Sequence, residues 1–259
     1  MNLSIDVNIL QMSSEKREKL KDRIVCEIPL TIVVNENKLI TLQCSPDKLE
    51  YLAIGFLLSE GFIKEETKIK YLNLNKSDWH IKIGLEENFP DIKNSLLKKA
   101  FGSGCGKAVT FNQGVYIQEL TPLKIQVKYP WEKISNLMEE LQKRSLTFKN
   151  TGGVHSCALC SQERIEVFSE DIGRHNAMDK VFGECFIKGI STQDKAILTS
   201  GRISSEILIK AARRKVSIIA SRSAPTDLAV SLAEKLNLTL IGFVRGHRMN
   251  IYTHNYRIT

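Results

Sequence analysis

Two cysteine-bearing stretches hold residue types and spacings that could do chemistry. "TGGVHSCALC" (Thr151–Cys160) ends in a Cys-x-x-Cys pair, Cys157 and Cys160, with His155 two residues before the first thiol. "FGSGCGKA" (Phe101–Ala108) holds a lone Cys105 among Gly102, Gly104 and Gly106, followed by Lys107. A structural zinc site needs four ligands. The pair offers two, His155 stands as a third, and the chain has no second Cys-x-x-Cys. The pair also falls in an apolar run that reads as a strand, where residues three apart point to opposite faces. Zinc or redox chemistry is the weaker account of "CALC". The neighbours of Cys105 have no side chains to shield it, glycine lets a loop swing, and the charge of Lys107 favours a nucleophilic thiolate. A mobile, exposed thiol suits relay chemistry, picking up a group in one place and leaving it in another. The bland account is a turn that happens to hold a cysteine, an unusual choice for an exposed turn among reduced thiols. The stretch from about Lys99 to Lys107 has only Phe101 to anchor it, so weak ordering is expected there. Cys26, Cys44 and Cys185 lie in apolar runs and read as core packing.

Anion binding is the second candidate chemistry. "EDIGRHNAMDK" offers Gly173, Arg174 and His175; "TSGRISSE" offers Gly201 and Arg202; "SRSAPTD" offers Arg222, Ser223, Pro225 and Thr226; "GFVRGHR" offers Arg245, His247 and Arg248. Free N–H groups at helix starts bind anions, and arginine adds a planar two-pronged donor for phosphate. Singly, each loop is explained by capping and surface charge. Together at one sheet edge they point to a phosphate-bearing ligand. The chain has neither a Walker-type Gly-Lys-Ser/Thr loop nor Gly-x-Gly-x-x-Gly.

These residues need elements to position them. The opening, to about Asp22, reads as a loosely held helix or arm. "RIVCEIPLTIVVNENKLITLQCS" reads as a hairpin turning at "NENK". "SPDKLEYLAIGFLLSEGFI" reads as a helix capped by Ser45, with Pro46 first, Asp47 in its first turn and Gly61 ending it. "IKYLNLN", "WHIKIGL", "KAVTFNQGVYIQ" and "LKIQVKYP" read as strands, and Pro130 closes this part. "WEKISNLMEELQKRSLTF" is an amphipathic helix with Ile134, Leu137, Met138 and Leu141 on one face. Thereafter strand and helix alternate to the end: "RIEVFSEDIG", "RHNAMDKVFGECFIKG", "KAILTSG", "ISSEILIKAARRK", "VSIIAS", "APTDLAVSLAEKLN" and "LTLIGFVRGHRMNIYT". Continuous apolar strands in that rhythm imply a buried sheet covered by helices on both faces, with ligands beyond the strand ends. The expected division is an arm over 1–22, an α+β domain over 23–130 that includes the Cys105 loop, and an α/β domain over 131–259.

The chain has 259 residues, 42 % hydrophobic, six cysteines and a formal net charge of +8. Six scattered cysteines do not make a disulfide framework. The longest apolar run, "LAIGFLL", is far short of the ~18–20 residues that span a bilayer, and the N-terminus lacks the pattern of a signal peptide. A cytoplasmic protein is expected, with neither membrane nor nucleic acid as a partner. The positive charge reads as a solvated lysine-rich surface or as attraction to an anionic partner.

Five motifs in order, "TGGVH", "EDIGRHNAMDKVFG", "GRISSEILIKAA", "SAPTDLAVSLA" and "GFVRGHRMNIYTH", resemble the sulfurtransferase accessory family needed for formate dehydrogenase activity (FdhD-like). The resemblance runs from about Ile28 to His254. It implies a cytidine-deaminase-like three-layer α/β domain with a smaller N-terminal α+β domain of hairpin, helix and strands. It implies that a loop cysteine takes sulfur from a cysteine desulfurase as a persulfide. The sulfur then passes to the molybdenum cofactor bearing two molybdopterin guanine dinucleotides, bound as substrate. Cys105 matches that loop cysteine. Phe243, Val244, Arg245, Gly246, His247 and Arg248 match the stretch credited with cofactor binding, and Arg174 and His175 join them from the sheet-edge reading. Many relatives carry Cys-Gly-x-Cys-Gly in the loop; here Gly102 takes the first place, so Cys105 stands alone. Relatives also tend to have small apolar residues where this chain has Cys157 and Cys160. Expected partners are a cysteine desulfurase, formate dehydrogenase and a second copy of the chain in a homodimer. The alternatives are a non-catalytic carrier or chaperone of the same cofactor and a zinc deaminase. For the latter, "HSC" stands where His-x-Glu is needed and no proline precedes "CALC".

Overall fold

A computed structural model describes residues 2–86, 99–101, 109–111, 120–124 and 127–259. The opening residues form neither helix nor loose arm. They pair as an antiparallel hairpin, β1 (Ser4–Met12) with β2 (Arg17–Val25). Ile5, Val7 and Ile9 alternate along β1, the period of a strand.

A four-stranded sheet of order β4-β3-β6-β5 follows. It comprises β3 (Ile28–Val34), β4 (Asn37–Cys44), β5 (Ile69–Asn75) and β6 (His80–Leu85). The expected turn between β3 and β4 is made by Asn35 and Glu36, both at positive φ. Helix α1 (Leu49–Ser59) covers this sheet, and Leu30, Ile32, Leu52, Leu57, Ile81 and Ile83 meet between them with no exposure. Fully burying one such side chain contributes about 2 kcal/mol. The helix starts later than Ser45 and Pro46 suggest, with Lys48 at its N-cap. Ser45 and Asp47 are occupied by partners on another element, described below. Gly61 does end the run, at φ 77°.

Two short strands, β7 (Lys99–Phe101) and β8 (Val109–Phe111), pair antiparallel. The residues between them, including Cys105, lie outside the described residues, as does the expected ordering of the Cys105 loop. "LKIQVKYP" forms no strand among its described residues; Tyr129 makes a single bridge to Ile258.

The larger unit contains α2 (Trp131–Arg144), α3 (Leu146–Thr151), β9 (His155–Cys160), β10 (Ile165–Asp171) and α4 (Arg174–Ile187). It continues with β11 (Ala196–Thr199), α5 (Ser205–Arg213), β12 (Ile218–Ser221), α6 (Asp227–Leu236), β13 (Thr239–Arg245) and β14 (Arg248–Ile251). Helix α2 stops at Ser145, whose hydroxyl donates to Leu141 O at 2.7 Å, and α3 begins afresh. Its predicted stripe of Ile134, Leu137, Met138 and Leu141 is buried. The sheet order is β10-β9-β11-β12-β13-β14, with β11, β12 and β13 parallel and the rest antiparallel. Helices α4, α5 and α6 pack on one face and α2 on the other, each over its own apolar cluster.

The two units meet where α1 crosses α4. A Cβ on Gly55 would lie 1.7 Å from Asp179 O, and one on Gly183 would lie 1.9 Å from Tyr51 O. Only glycine lets these backbones approach so closely. Ion pairs flank the crossing: Lys48–Glu184 at 2.7 Å, Lys180–Asp47 at 2.6 Å and Lys210–Glu60 at 3.2 Å.

Candidate anion site at the strand ends

The parallel strands deliver their C-terminal ends to one edge. Because β9 runs antiparallel to β10 and β11, its first residue arrives there too: His155 stands opposite Asp171, and Thr199 opposite both Cys157 and Ser221. In the sequence His155 is only a neighbour of the cysteine pair. Strand direction brings it to the arginines, and one chain read alone does not announce that direction.

Most hydroxyls at this edge shape its loops. Gly201 N donates to Thr199 Oγ1 at 3.2 Å, Ser221 Oγ to Gly201 O at 2.6 Å and Ser156 N to Ser200 Oγ at 2.9 Å. Thr226 caps α6 by accepting from Ala229 N at 3.3 Å. The cations remain. Arg174 is the first residue of α4, and Arg202 is exposed just before α5. Gly201 lets two of the site residues close in: a Cβ there would lie 3.0 Å from Arg174 Cβ and 3.4 Å from His155 Nδ1. His175 Nε2 stands 3.2 Å from Glu206 Oε2, which turns one edge of the site acidic.

His155 is half-buried among Arg174, His175 and Arg202. Burial first, and then these three positive neighbours, push its pKa below the ordinary 6.5, while Asp171 pulls weakly the other way. An anion that binds here screens the arginines and raises that pKa, so binding takes up a proton. Affinity for sulfate, whose charge is constant over this range, is therefore expected to rise as pH falls from 7 through the bound-state pKa of His155 and to level off below the free-state value. Titrations across this range should show the rise, and His155→Gln should flatten it; an unchanged slope in that variant would remove His155 from the site. The sign for folding is opposite. A depressed histidine pKa contributes stability that is present above 6.5 and lost as pH falls through the folded value.

The hairpin tip between β13 and β14 extends the edge. Arg245, Gly246, His247 and Arg248 are exposed. Arg245 Nε donates to Arg222 O at 3.4 Å, and its guanidinium lies 5.6 Å from the Phe243 ring centre. Ser135 Oγ on α2 donates to Gly246 O and ties the tip down. Phe243 holds φ 53° inside an irregular step of the β13–β14 ladder. A bulky residue there carries strain, and nothing in its sequence context signals it. Val244 is 1 % exposed in the core beneath the sheet, so its side chain packs and cannot reach a ligand. The structure thus gathers Arg174, His175, His155 and Arg202 at one part of the edge and Arg222, Phe243, Arg245 and Arg248 at the next.

The cysteine pair is inert. Cys157 and Cys160 belong to the apolar clusters on opposite faces of the sheet, both with no exposure, and cannot grip one ion together. Burial holds both thiols well above their ordinary pKa. Cys44 and Cys185 are likewise buried core residues, each pushed up to about 12 chiefly by burial. Cys26, whose sequence context also suggests core, is only half-buried. Among the described residues no group of three or more His, Cys, Asp or Glu side chains is placed to hold a metal ion. A groove of about 1500 Å³ opens at the opposite end of the large sheet, lined by Leu58, Lys124, Arg213 and Tyr256 among others, without a cysteine or histidine. It lies at the N-terminal ends of the parallel strands, away from the edge where α/β sheets bind ligands.

The described residues thus form a mixed α/β architecture with arginine and histidine side chains at the strand ends and buried core thiols. Residues 25–259 match the model of the FdhD/NarQ family, and the chain belongs to that family. It is 44 % identical over 240 residues to the sulfur carrier protein FdhD of Bacillus subtilis, covering 93 % of this chain and 92 % of that one. The sulfur carrier protein FdhD of Listeria innocua is 42 % identical, with 93 % and 94 % covered. The crystal structure of a Desulfotalea psychrophila protein described as a formate dehydrogenase accessory protein superposes with TM-score 0.83 at 27 % identity, covering all of both chains. No helix among the described residues is long and apolar enough to cross a membrane.

Proposed function

We propose that the chain is a cytoplasmic sulfurtransferase that serves formate dehydrogenase, with Cys105 as the thiol that carries sulfur. The observation that supports this most is the inertness of the core thiols. Cys44, Cys157, Cys160 and Cys185 are buried and held protonated, so sulfur has to be taken elsewhere. Cys105, beside Lys107 and three glycines, has the sequence context of a reactive thiol. In the first step the Cys105 thiolate attacks the outer sulfur of a persulfide on a cysteine desulfurase. The donor's S–S bond breaks, a new one forms on Cys105, and the donor leaves as a thiolate.

The acceptor we infer is the molybdenum cofactor bearing two molybdopterin guanine dinucleotides, bound as substrate. Arg174, His175, His155, Arg245 and Arg248 supply donors for its pyrophosphates, and the Phe243 ring offers a flat apolar surface to a guanine. We read the larger unit as cytidine-deaminase-like and the working assembly as a homodimer. A non-catalytic carrier is the second reading, favoured by the word "carrier" in the relatives' names. Guanosine diphosphate is expected to bind, with affinity that falls as salt rises because screening weakens charge attraction. Arg245→Ala together with Arg248→Ala should weaken it by about tenfold or more, as expected for two lost charged hydrogen bonds. Binding that ignores both salt and these substitutions would overturn the site.

A further inference from the structure

The turn that carries Arg174 and His175 is clamped by the other unit. Asp171, at the end of β10, has no exposure. Its Oδ1 accepts from Gly173 N and Asn176 Nδ2, both at 2.9 Å. Its Oδ2 accepts from Ser45 N at 3.0 Å and lies 2.7 Å from Lys180 Nζ. Four donors fill the four lone-pair positions of one carboxylate. Lys180, also without exposure, reaches Asp47 at 2.6 Å and Ser45 O at 3.3 Å. Burial opposes its charge, but Asp171 and Asp47 outweigh burial and hold the ammonium protonated above its ordinary pKa. Burial leaves the Asp171 carboxyl above its ordinary pKa, opposed by Lys180 and the neighbouring donors. Ser45 Oγ accepts from Ile172 N at 3.2 Å, and Asn176 Nδ2 also donates to Gln43 O at 2.8 Å.

Asp171, Ile172, Gly173 and Asn176 are thus tied, directly or through a neighbour, to the end of β4 and the residues that follow it. We propose that this link, Gln43 to Asp47, is a positioning element for the anion site. Ser45 and the Asp171–Lys180 pair fix the orientation of Arg174 and His175, so docking of the small unit and anion binding strengthen each other. None of Ser45, Asp171 and Lys180 touches the ligand in this scheme. They hold the groups that do, and a cluster so fully hydrogen-bonded has one low-energy arrangement. Linkage requires the effect to run both ways: an anion at Arg174 must also tighten the crossing of α1 on α4. The proposal rests on the anion site argued above.

Ser45→Ala removes the acceptor of Ile172 N without adding bulk. With guanosine diphosphate as probe, it should lower affinity about three- to tenfold, the size of one lost hydrogen bond. Amide resonances of Ile172, Gly173 and Arg174 should shift, and Ser45→Thr, which keeps the hydroxyl, should restore both. In the unaltered protein the nucleotide should slow hydrogen exchange in Leu49–Ser59, and in Ser45→Ala it should do so less. If Ser45→Ala does not fold, Asn176→Ala at its half-buried position takes its place with the same expectations. Normal affinity together with unshifted Ile172–Arg174 amides overturns the inference. If the unaltered protein binds no nucleotide, the anion site is the reading that falls, and the amide shifts in Ser45→Ala still decide whether the link positions the turn.

Discussion

Cys105→Ala is expected to abolish activation of a partner formate dehydrogenase while leaving the fold intact, and Cys157→Ala with Cys160→Ala is expected to retain it. The contrast follows from thiol chemistry. The nucleophile in sulfur exchange is the thiolate, and its rate scales with the thiolate fraction and with access. Cys157 and Cys160 have no access, and burial holds their protons on far above neutral pH. Truncating them costs some core packing, about 1–2 kcal/mol each, but leaves Cys105 in place. In the sequence Cys105 stands among glycines two residues before Lys107, and no other cysteine has such neighbours. Intact-mass analysis after incubation with a cysteine desulfurase and free cysteine should show one added sulfur, mapping to the peptide that contains Cys105. Full activation by Cys105→Ala would leave the chain a carrier without a transfer step. Failure of the Cys157→Ala, Cys160→Ala variant despite normal folding would mean that the sulfur-bearing thiol lies in the core pair. A sulfur mapped to half-buried Cys26 would likewise remove Cys105 from the transfer step.

The α/β half was legible because its signals are local. Strands such as "AILT" and "IIAS" are wholly buried and so read as unbroken apolar runs. The period of two is enough to put Cys157 and Cys160 on opposite faces, where they lie. Arg174, Arg202 and Arg222 were also visible, since each sits where an apolar run leads into a helix start, and Arg245 and Arg248 follow the last apolar run. What escaped was decided over distance. Ser45 and Asp47 look like the cap and first turn of α1, but they bind Ile172, Asp171 and Lys180, more than 120 residues away. That competition moves the helix start to Leu49. The charges of "SSEKREKLKDR" hid a strand, because β2 is one edge of an exposed ribbon where lysines are tolerated. The place of His155 was hidden because strand direction is a property of the sheet. Val244 was named only with the stretch that the resemblance matches, and neither its burial nor the irregular step near Phe243 leaves a mark in "GFVRGHR".

Gly55→Ala sets two physical effects against each other and is expected to destabilise the protein. In an isolated helix the change is favourable by about 1 kcal/mol, because alanine loses less backbone entropy than glycine. At this position the new methyl would lie 1.7 Å from Asp179 O and 2.9 Å from Gly183 N. Both are backbone atoms of α4, so no side chain can rotate aside. The helices must part by more than ~1 Å to restore an ordinary contact, and the Lys48–Glu184, Lys180–Asp47 and Lys210–Glu60 pairs that flank the crossing must stretch with them. Overpacking of a tight contact costs about 1–3 kcal/mol, and more where the backbone has to move. The sum is a net loss of about 2 kcal/mol or more, with the sign set by the crossing and not by propensity. Gly183→Ala should behave alike, since its methyl would meet Tyr51 O at 1.9 Å. Combining the two should cost less than the sum of the single changes, because the first already opens the contact. Urea unfolding of the three variants would measure these terms. A Gly55→Ala protein as stable as the parent, with α1 amides equally protected from exchange, would show that the two units do not meet as closely as the Gly55–Gly183 contact requires. Parting the helices also pulls Ser45 and Asp47 away from Asp171 and Lys180, so the same substitution should weaken nucleotide binding at a site where Gly55 itself has no part.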